Sequence, residues 1–172
     1  MIILVLGGAR AGKSTFALRL AEEHLANGPG AFIATAQALD DDMAQRISRH
    51  REERSADWNT IEEPYHLDQA LLKTGDASVV IVDCLTLFVS NWMMRDETNC
   101  EATLREISER FLTTAQTKTV ICVSNEVGLG VVPATSLGRE FRDLLGRLNQ
   151  QFAEAATHVY LLVAGIPMRI KS

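Results

Sequence analysis

Cysteine is scarce and unpatterned: Cys84, Cys100 and Cys122 lie far apart in a chain of 172 residues, with no C-x-x-C among them. That argues against a disulfide framework or a zinc cage, and for a reducing cytoplasm. No window approaches ~20 apolar residues, so nothing reads as a membrane span. The apolar run at the N-terminus is too short for a secretory leader and has no basic residues before it. Positive charge is not in excess. A formal net charge of −5 weighs against a nucleic-acid partner, which calls for a basic face. There is no N-K-x-D guanine motif, and the D-x-x-G match at Asp143–Gly146 falls inside a helical pattern, so a switch GTPase is not indicated. Internal repeats, low-complexity tracts and linkers are missing too. What remains is a single domain over residues 1–172, 47% hydrophobic and able to bury a substantial core.

The most informative stretch present is Gly7-Gly8-Ala9-Arg10-Ala11-Gly12-Lys13-Ser14. It follows the apolar run Ile2–Leu6 and precedes an amphipathic pattern through Phe16, Leu18, Leu20, Ala21 and Leu25. Strand, glycine-rich turn and helix in that order, with G-x-x-x-x-G-K-[ST], predict a P-loop. Glycine lets the backbone curl until successive N–H groups point into one concavity. The helix beginning near Lys13 adds its positive end. Lys13 would reach the β- and γ-phosphates and Ser14 would hold Mg²⁺.

Further strands are expected at Ala31–Thr35, Trp58–Glu62, Val79–Asp83, Thr119–Ser124, His158–Val163 and Met168–Lys171, with Gly165 and Pro167 turning the chain between the last two. Helices are expected from Lys13 to about Ala26, from Asp40 to near Arg54, from Leu67 toward Gly75, and over Leu85–Met94 and Ala102–Ala115. The longest carries Leu137, Phe141, Leu144, Leu145, Leu148 and Phe152 at helical spacing. Strands alternating with helices predict a three-layer α/β fold. Ligands in such sheets bind beyond the carboxyl ends of the strands, where the P-loop, Asp83 and Asn125-Glu126 all fall.

Asp83, at the end of a buried apolar strand, fits a Walker-B carboxylate for Mg²⁺. Glu126 occupies the matching end of another strand and suits metal binding, the positioning of a substrate hydroxyl, or a solvated loop. His50 lies among Arg46, Arg49, Arg51 and Arg54, and shares a helical face with Met43 and Ile47. A lone histidine in a charged run is usually a solvated face. However, an imidazole can attack phosphorus to form a phosphoramidate, and guanidinium groups neutralise the phosphates being transferred. The arginines would also favour the neutral, nucleophilic imidazole.

Several segments together resemble a known family. They are the P-loop at 7–14, Ile-Ala-Thr-Ala at 33–36, Asp-Asp-Asp-Met-Ala-Gln-Arg-Ile-Ser-Arg-His-Arg at 40–51, and Arg54, Trp58, Thr60, Glu62 and Pro64. Asn-Glu-Val-Gly-Leu-Gly-Val-Val-Pro at 125–133 and Phe-Arg-Asp-Leu-Leu-Gly-Arg-Leu-Asn-Gln at 141–150 complete the set. The sequence is similar over nearly its whole length to the bifunctional adenosylcobinamide kinase / adenosylcobinamide-phosphate guanylyltransferases of cobalamin biosynthesis. The resemblance implies a RecA-like P-loop NTPase fold with a mostly parallel sheet. It also implies phosphorylation of adenosylcobinamide by ATP or GTP, then transfer of GMP from GTP, through His50, to adenosylcobinamide phosphate. It assigns nucleotide contacts to the P-loop residues, to Ala34, Thr35 and Ala36, to Arg51, Glu52, Glu53 and Arg54, and to Glu62 and Asp83. Homo-oligomers, with the trimer favoured, are implied as well. The rival readings are another P-loop small-molecule kinase, which would not need His50, and a nucleotide-sensing regulator that binds without turnover.

Overall fold

The computed structural model describes residues 1–25, 28–52, 57–96 and 98–172, without the side chains of Arg46, Arg49, His50 and Glu52. In chain order the described elements are β1 (Ile2–Gly7), α1 (Lys13–His24), β2 (Gly30–Ala34), α2 (Asp41–Glu52), β3 (Trp58–Glu62), α3 (Leu67–Leu72) and β4 (Val79–Asp83). They continue with α4 (Leu85–Arg95), α5 (Cys100–Ala115), β5 (Thr119–Asn125), α6 (Ser136–Ala155), β6 (His158–Val163) and β7 (Ile166–Lys171). The strands form one sheet in the order β3-β2-β4-β5-β1-β6-β7. β7 runs antiparallel to β6, and the other pairs are parallel.

The continuous apolar strands are covered on both faces, as parallel strands must be. Side chains alternate across the pleat, so successive residues of one strand enter different cores. Ile2, Leu4 and Leu6 pack in the larger core with α3, α4, α5 and α6, while Ile3 and Val5 pack with Ala17, Leu20 and Ala21 of α1. The result is the expected three-layer α/β arrangement, and β1 lies inside it with all six residues buried.

Several boundaries differ from expectation by a residue or two, and two of them bear on the fold. Pro167 does not turn the chain; it lies within β7, opposite Leu162, and the strand begins at Ile166. β7 is an edge strand, where a residue without an N–H breaks no ladder. The turn is made by Ala164 and Gly165 alone, at φ 51° and 81°, the two-residue geometry that follows strand twist. β2, expected from Ala31, begins one residue earlier at Gly30, which is buried.

The aromatic ring of Trp58 packs directly on Gly30, at a place where a Cβ would stand 2.7 Å from the ring carbons. Gly30 is at the amino end of its strand, opposite the P-loop end. We expect Gly30→Ala to destabilise the fold by about 1–3 kcal/mol in urea denaturation, with nucleotide affinity of the folded variant unchanged. Unaltered stability would mean that the ring moves freely aside.

Candidate nucleotide site

Strand register aligns the site. Glu62 pairs with Ala34, Ala34 with Asp83, and Asp83 with Val123. Two residues further along, Asn125 pairs with Gly7, and Gly7 with Leu162. β5 therefore stands between β1, which launches the P-loop, and β4, which carries Asp83. That puts the two about 10 Å apart across the sheet.

Gly7 is buried with φ 156°, and a Cβ there would lie 2.7 Å from the Leu162 carbonyl oxygen. The loop then turns through two left-handed residues, Arg10 at φ 56° and Gly12 at φ 86°. Glycine tolerates that conformation; Arg10 adopts it against its own preference. Gly12 caps α1 with no side-chain acceptor, and the first turn of α1 has no acidic residue. The first N–H groups of the helix are thus left for an anion.

Lys13 is largely buried, and its ammonium donates to the Gly8 carbonyl at 2.7 Å and so bridges its own loop. Burial lowers its pKa from the usual lysine value, while the nearby Asp83 carboxylate acts in the opposite sense. An incoming triphosphate would supply the missing counter-charge.

Ala9, Arg10, Lys13, Ser14, Ala34, Ala36 and Asp83 line one cavity of about 550 Å³. Gly7, Gly8, Ala11 and Gly12 shape the loop around it. Ser14 and Asp83 bring a hydroxyl and a carboxylate to that wall, hard oxygen ligands suited to Mg²⁺. Among the described residues no group of three or more His, Cys, Asp or Glu could hold a metal. Mg²⁺ needs no such cage, because phosphate oxygens and water complete its shell.

The other assigned positions are placed differently. Thr35 is fully buried, with its hydroxyl bonded to Cys84. Arg51 and Glu62 form an exposed ion pair at 3.6 Å, away from the cavity lining. His50 and Glu52 belong to α2, but their side chains lie outside the described residues, as do Glu53 and Arg54 altogether. Glu126 turns back on its own loop: its carboxylate accepts from the Gly128 N–H at 2.6 Å, and its N–H donates to the Gly7 carbonyl at 3.1 Å.

Sequence reasoning missed Thr86, Leu87 and Phe32 as cavity walls, along with the part that Met43 and Ile47 of α2 play there. Thr86 follows a recognised strand end by three residues, and only that position could have flagged it. Its hydroxyl accepts from the Asn125 N–H at 2.8 Å, and the Asn149 amide donates to the Asn125 carbonyl at 3.0 Å. α4 and α6 thereby both hold the end of β5.

Comparison with known proteins agrees with this architecture. The family model described as cobinamide kinase / cobinamide phosphate guanyltransferase matches residues 3–170. The chain belongs to this family. It is 40% identical over 184 residues to the bifunctional adenosylcobalamin biosynthesis protein CobU of Escherichia coli, covering 99% of this chain and 100% of that protein. It is 43% identical over 169 residues to CobP of Pseudomonas aeruginosa, covering 98% of this chain and 96% of that one. Among solved structures, the flagellar accessory protein FlaH from Methanocaldococcus jannaschii superposes with a TM-score of 0.51 at 16% identity, covering 99% of this chain and 77% of that chain. A solved ATPase domain gives 0.57, also at 16% identity, covering 94% and 69%. These likenesses give this member of the cobinamide kinase family a P-loop NTPase fold with a mostly parallel sheet.

Cys84 is the cysteine on the cavity wall. Burial, and then the adjacent Asp83 charge, push its thiol up to about 12. At pH 8 only ~1 in 10,000 of such a thiol is thiolate, the reactive form. Titration of the folded protein with a thiol-disulfide reagent at pH 8 should find no fast cysteine, and the rate should climb with pH. All three cysteines should react after denaturation. A thiol reacting at the rate of free cysteine would contradict this environment.

Proposed function

We propose that this chain phosphorylates adenosylcobinamide with ATP or GTP, then transfers GMP from GTP to adenosylcobinamide phosphate through His50. The observation that carries the reading is the junction of a P-loop, a buried lysine and Asp83 on one cavity, in a chain related over its full length to bifunctional proteins of adenosylcobalamin biosynthesis.

In the kinase step the substrate hydroxyl oxygen attacks the γ-phosphorus, loses its proton, and a nucleoside diphosphate leaves. The loop N–H groups and Lys13 hold the phosphates and take up charge as it develops. Ser14 and Asp83 would hold Mg²⁺, which would supply positive charge against the phosphates. In the transferase step a neutral imidazole nitrogen of His50 attacks the α-phosphorus and pyrophosphate leaves. A phosphate oxygen of adenosylcobinamide phosphate then attacks the same phosphorus, the P–N bond breaks, and adenosylcobinamide-GDP is released. Dividing the transfer in two lets one site serve two bulky substrates in turn.

Met43 and Ile47 of α2 already wall the cavity, and His50 follows Ile47 by less than one turn. GTP is therefore expected to reposition α2 over the P-loop. Free and GTP-bound structures that superpose, with His50 already at attack distance from the α-phosphorus in both, would rule this out. A cytoplasmic homo-oligomer, with the trimer favoured, completes the reading. The exposed Ile166, Met168 and Ile170 on the edge strand β7 offer an apolar surface for such assembly.

Incubation with GTP labelled at the α-phosphorus tests the transferase half. Wild type should carry an acid-labile GMP adduct that mass spectrometry locates at His50. His50→Ala should lose it while still phosphorylating adenosylcobinamide. No adduct on wild type, or an undiminished one on the variant, leaves only a kinase. Nucleotide binding with no corrinoid-dependent turnover would indicate a regulator instead.

A further inference from the structure

The β2–β4 ladder ends at the Ala34–Asp83 pair, just where the Asp83 carboxylate must be held. Thr35, the next residue, continues the pairing. Its N–H donates to the Asp83 carbonyl at 3.1 Å. Its hydroxyl then takes over: it donates to the Cys84 carbonyl at 2.7 Å and accepts from the Cys84 N–H at 2.8 Å. The Thr35 carbonyl accepts from the Asn91 amide at 2.9 Å, which ties the same residue to α4. With 0% exposure and its single proton committed to Cys84, the hydroxyl has no open face for a nucleotide.

We infer that Thr35 is a positioning residue: its side chain clamps Cys84 and so holds the Asp83 carboxylate on the cavity wall shared with Ser14, where Mg²⁺ would sit. This rests on the reading above, in which Asp83 and Ser14 hold the nucleotide-bound cation. Valine has the shape of threonine but offers neither hydrogen bond. In Thr35→Val the Cys84 carbonyl keeps its bond from the Phe88 N–H, at 3.2 Å, whereas the Cys84 N–H faces a methyl group. The turn after Asp83 is then free to shift while the P-loop is untouched.

Calorimetric titration of the full chain with α,β-methylene-GTP, which blocks release of pyrophosphate, reads this directly in Mg²⁺ and in EDTA. No corrinoid is needed. Thr35→Val should lose about tenfold or more of the affinity gained from Mg²⁺, and Thr35→Ser should stay within about twofold of wild type. Binding in EDTA should be unchanged in both. Asn91→Leu, which loosens Thr35 from the other side, should lower Tm yet keep the Mg²⁺ gain. If Thr35→Val does not fold, Thr35→Ala is read the same way. An undiminished Mg²⁺ gain in the variant overturns the inference. So does an equal loss in EDTA, which would make the hydroxyl a nucleotide contact, or an equal loss in Asn91→Leu, which would reduce it to general stability. Absence of any Mg²⁺ gain in wild type would instead remove the cation from the reading above, and the clamp with it.

Discussion

The parallel pairing of β1 between β5 and β6 is the constraint on which the site depends. It brings Gly7 against the Leu162 carbonyl so closely that no side chain fits, and places Asn125 beside it. A chain leaving the sheet there, buried on both sides until its last residue, must curl at once into the next helix. It does so through left-handed backbone at Arg10 and Gly12. The N–H groups left over by that curl are the positive lining of the cavity. An anion site is thus a by-product of how a central strand joins its helix.

The rest of the cavity supplies what the loop lacks. Lys13 carries a charge into a place where burial disfavours it, and it rests for now on a carbonyl of its own loop. Asp83 stands two strands away, so phosphates placed at the loop would lie between a cationic wall and a single carboxylate. Phe32, Met43, Ile47, Leu87 and Val123 make much of the remaining wall apolar. Such a surface suits the flat face of a base better than another charge. Three polar side chains hold these parts in register: Thr35 at Cys84, Thr86 at Asn125 and Asn149 at Asn125.

Much of this is legible along the chain. Val79–Asp83 is a largely apolar run, and its bounds follow from composition, because a strand buried on both faces leaves little room for polar residues inside it. The P-loop is legible because its geometry demands glycine and lysine at fixed offsets. The β6–β7 turn is not, because Pro167 is a breaker in most settings; that β7 is an edge strand, where proline is harmless, depends on the order of the sheet. Thr35 takes its assignment to the nucleotide from its neighbours in sequence, although its side chain points into the protein.

The amino-acid sequence by itself determined the alternation of strands and helices, the anion-binding loop and the family, since each rests on local spacing or on likeness along the chain. Tertiary structure alone decided the strand order that sets β5 between the P-loop and Asp83. It also decided which face of α2 meets the cavity, and which hydroxyls serve a ligand and which serve the backbone. Those outcomes are pairings between residues dozens of positions apart, such as Thr35 with Cys84, and no local pattern encodes the partner of a hydrogen bond that only folding brings within reach.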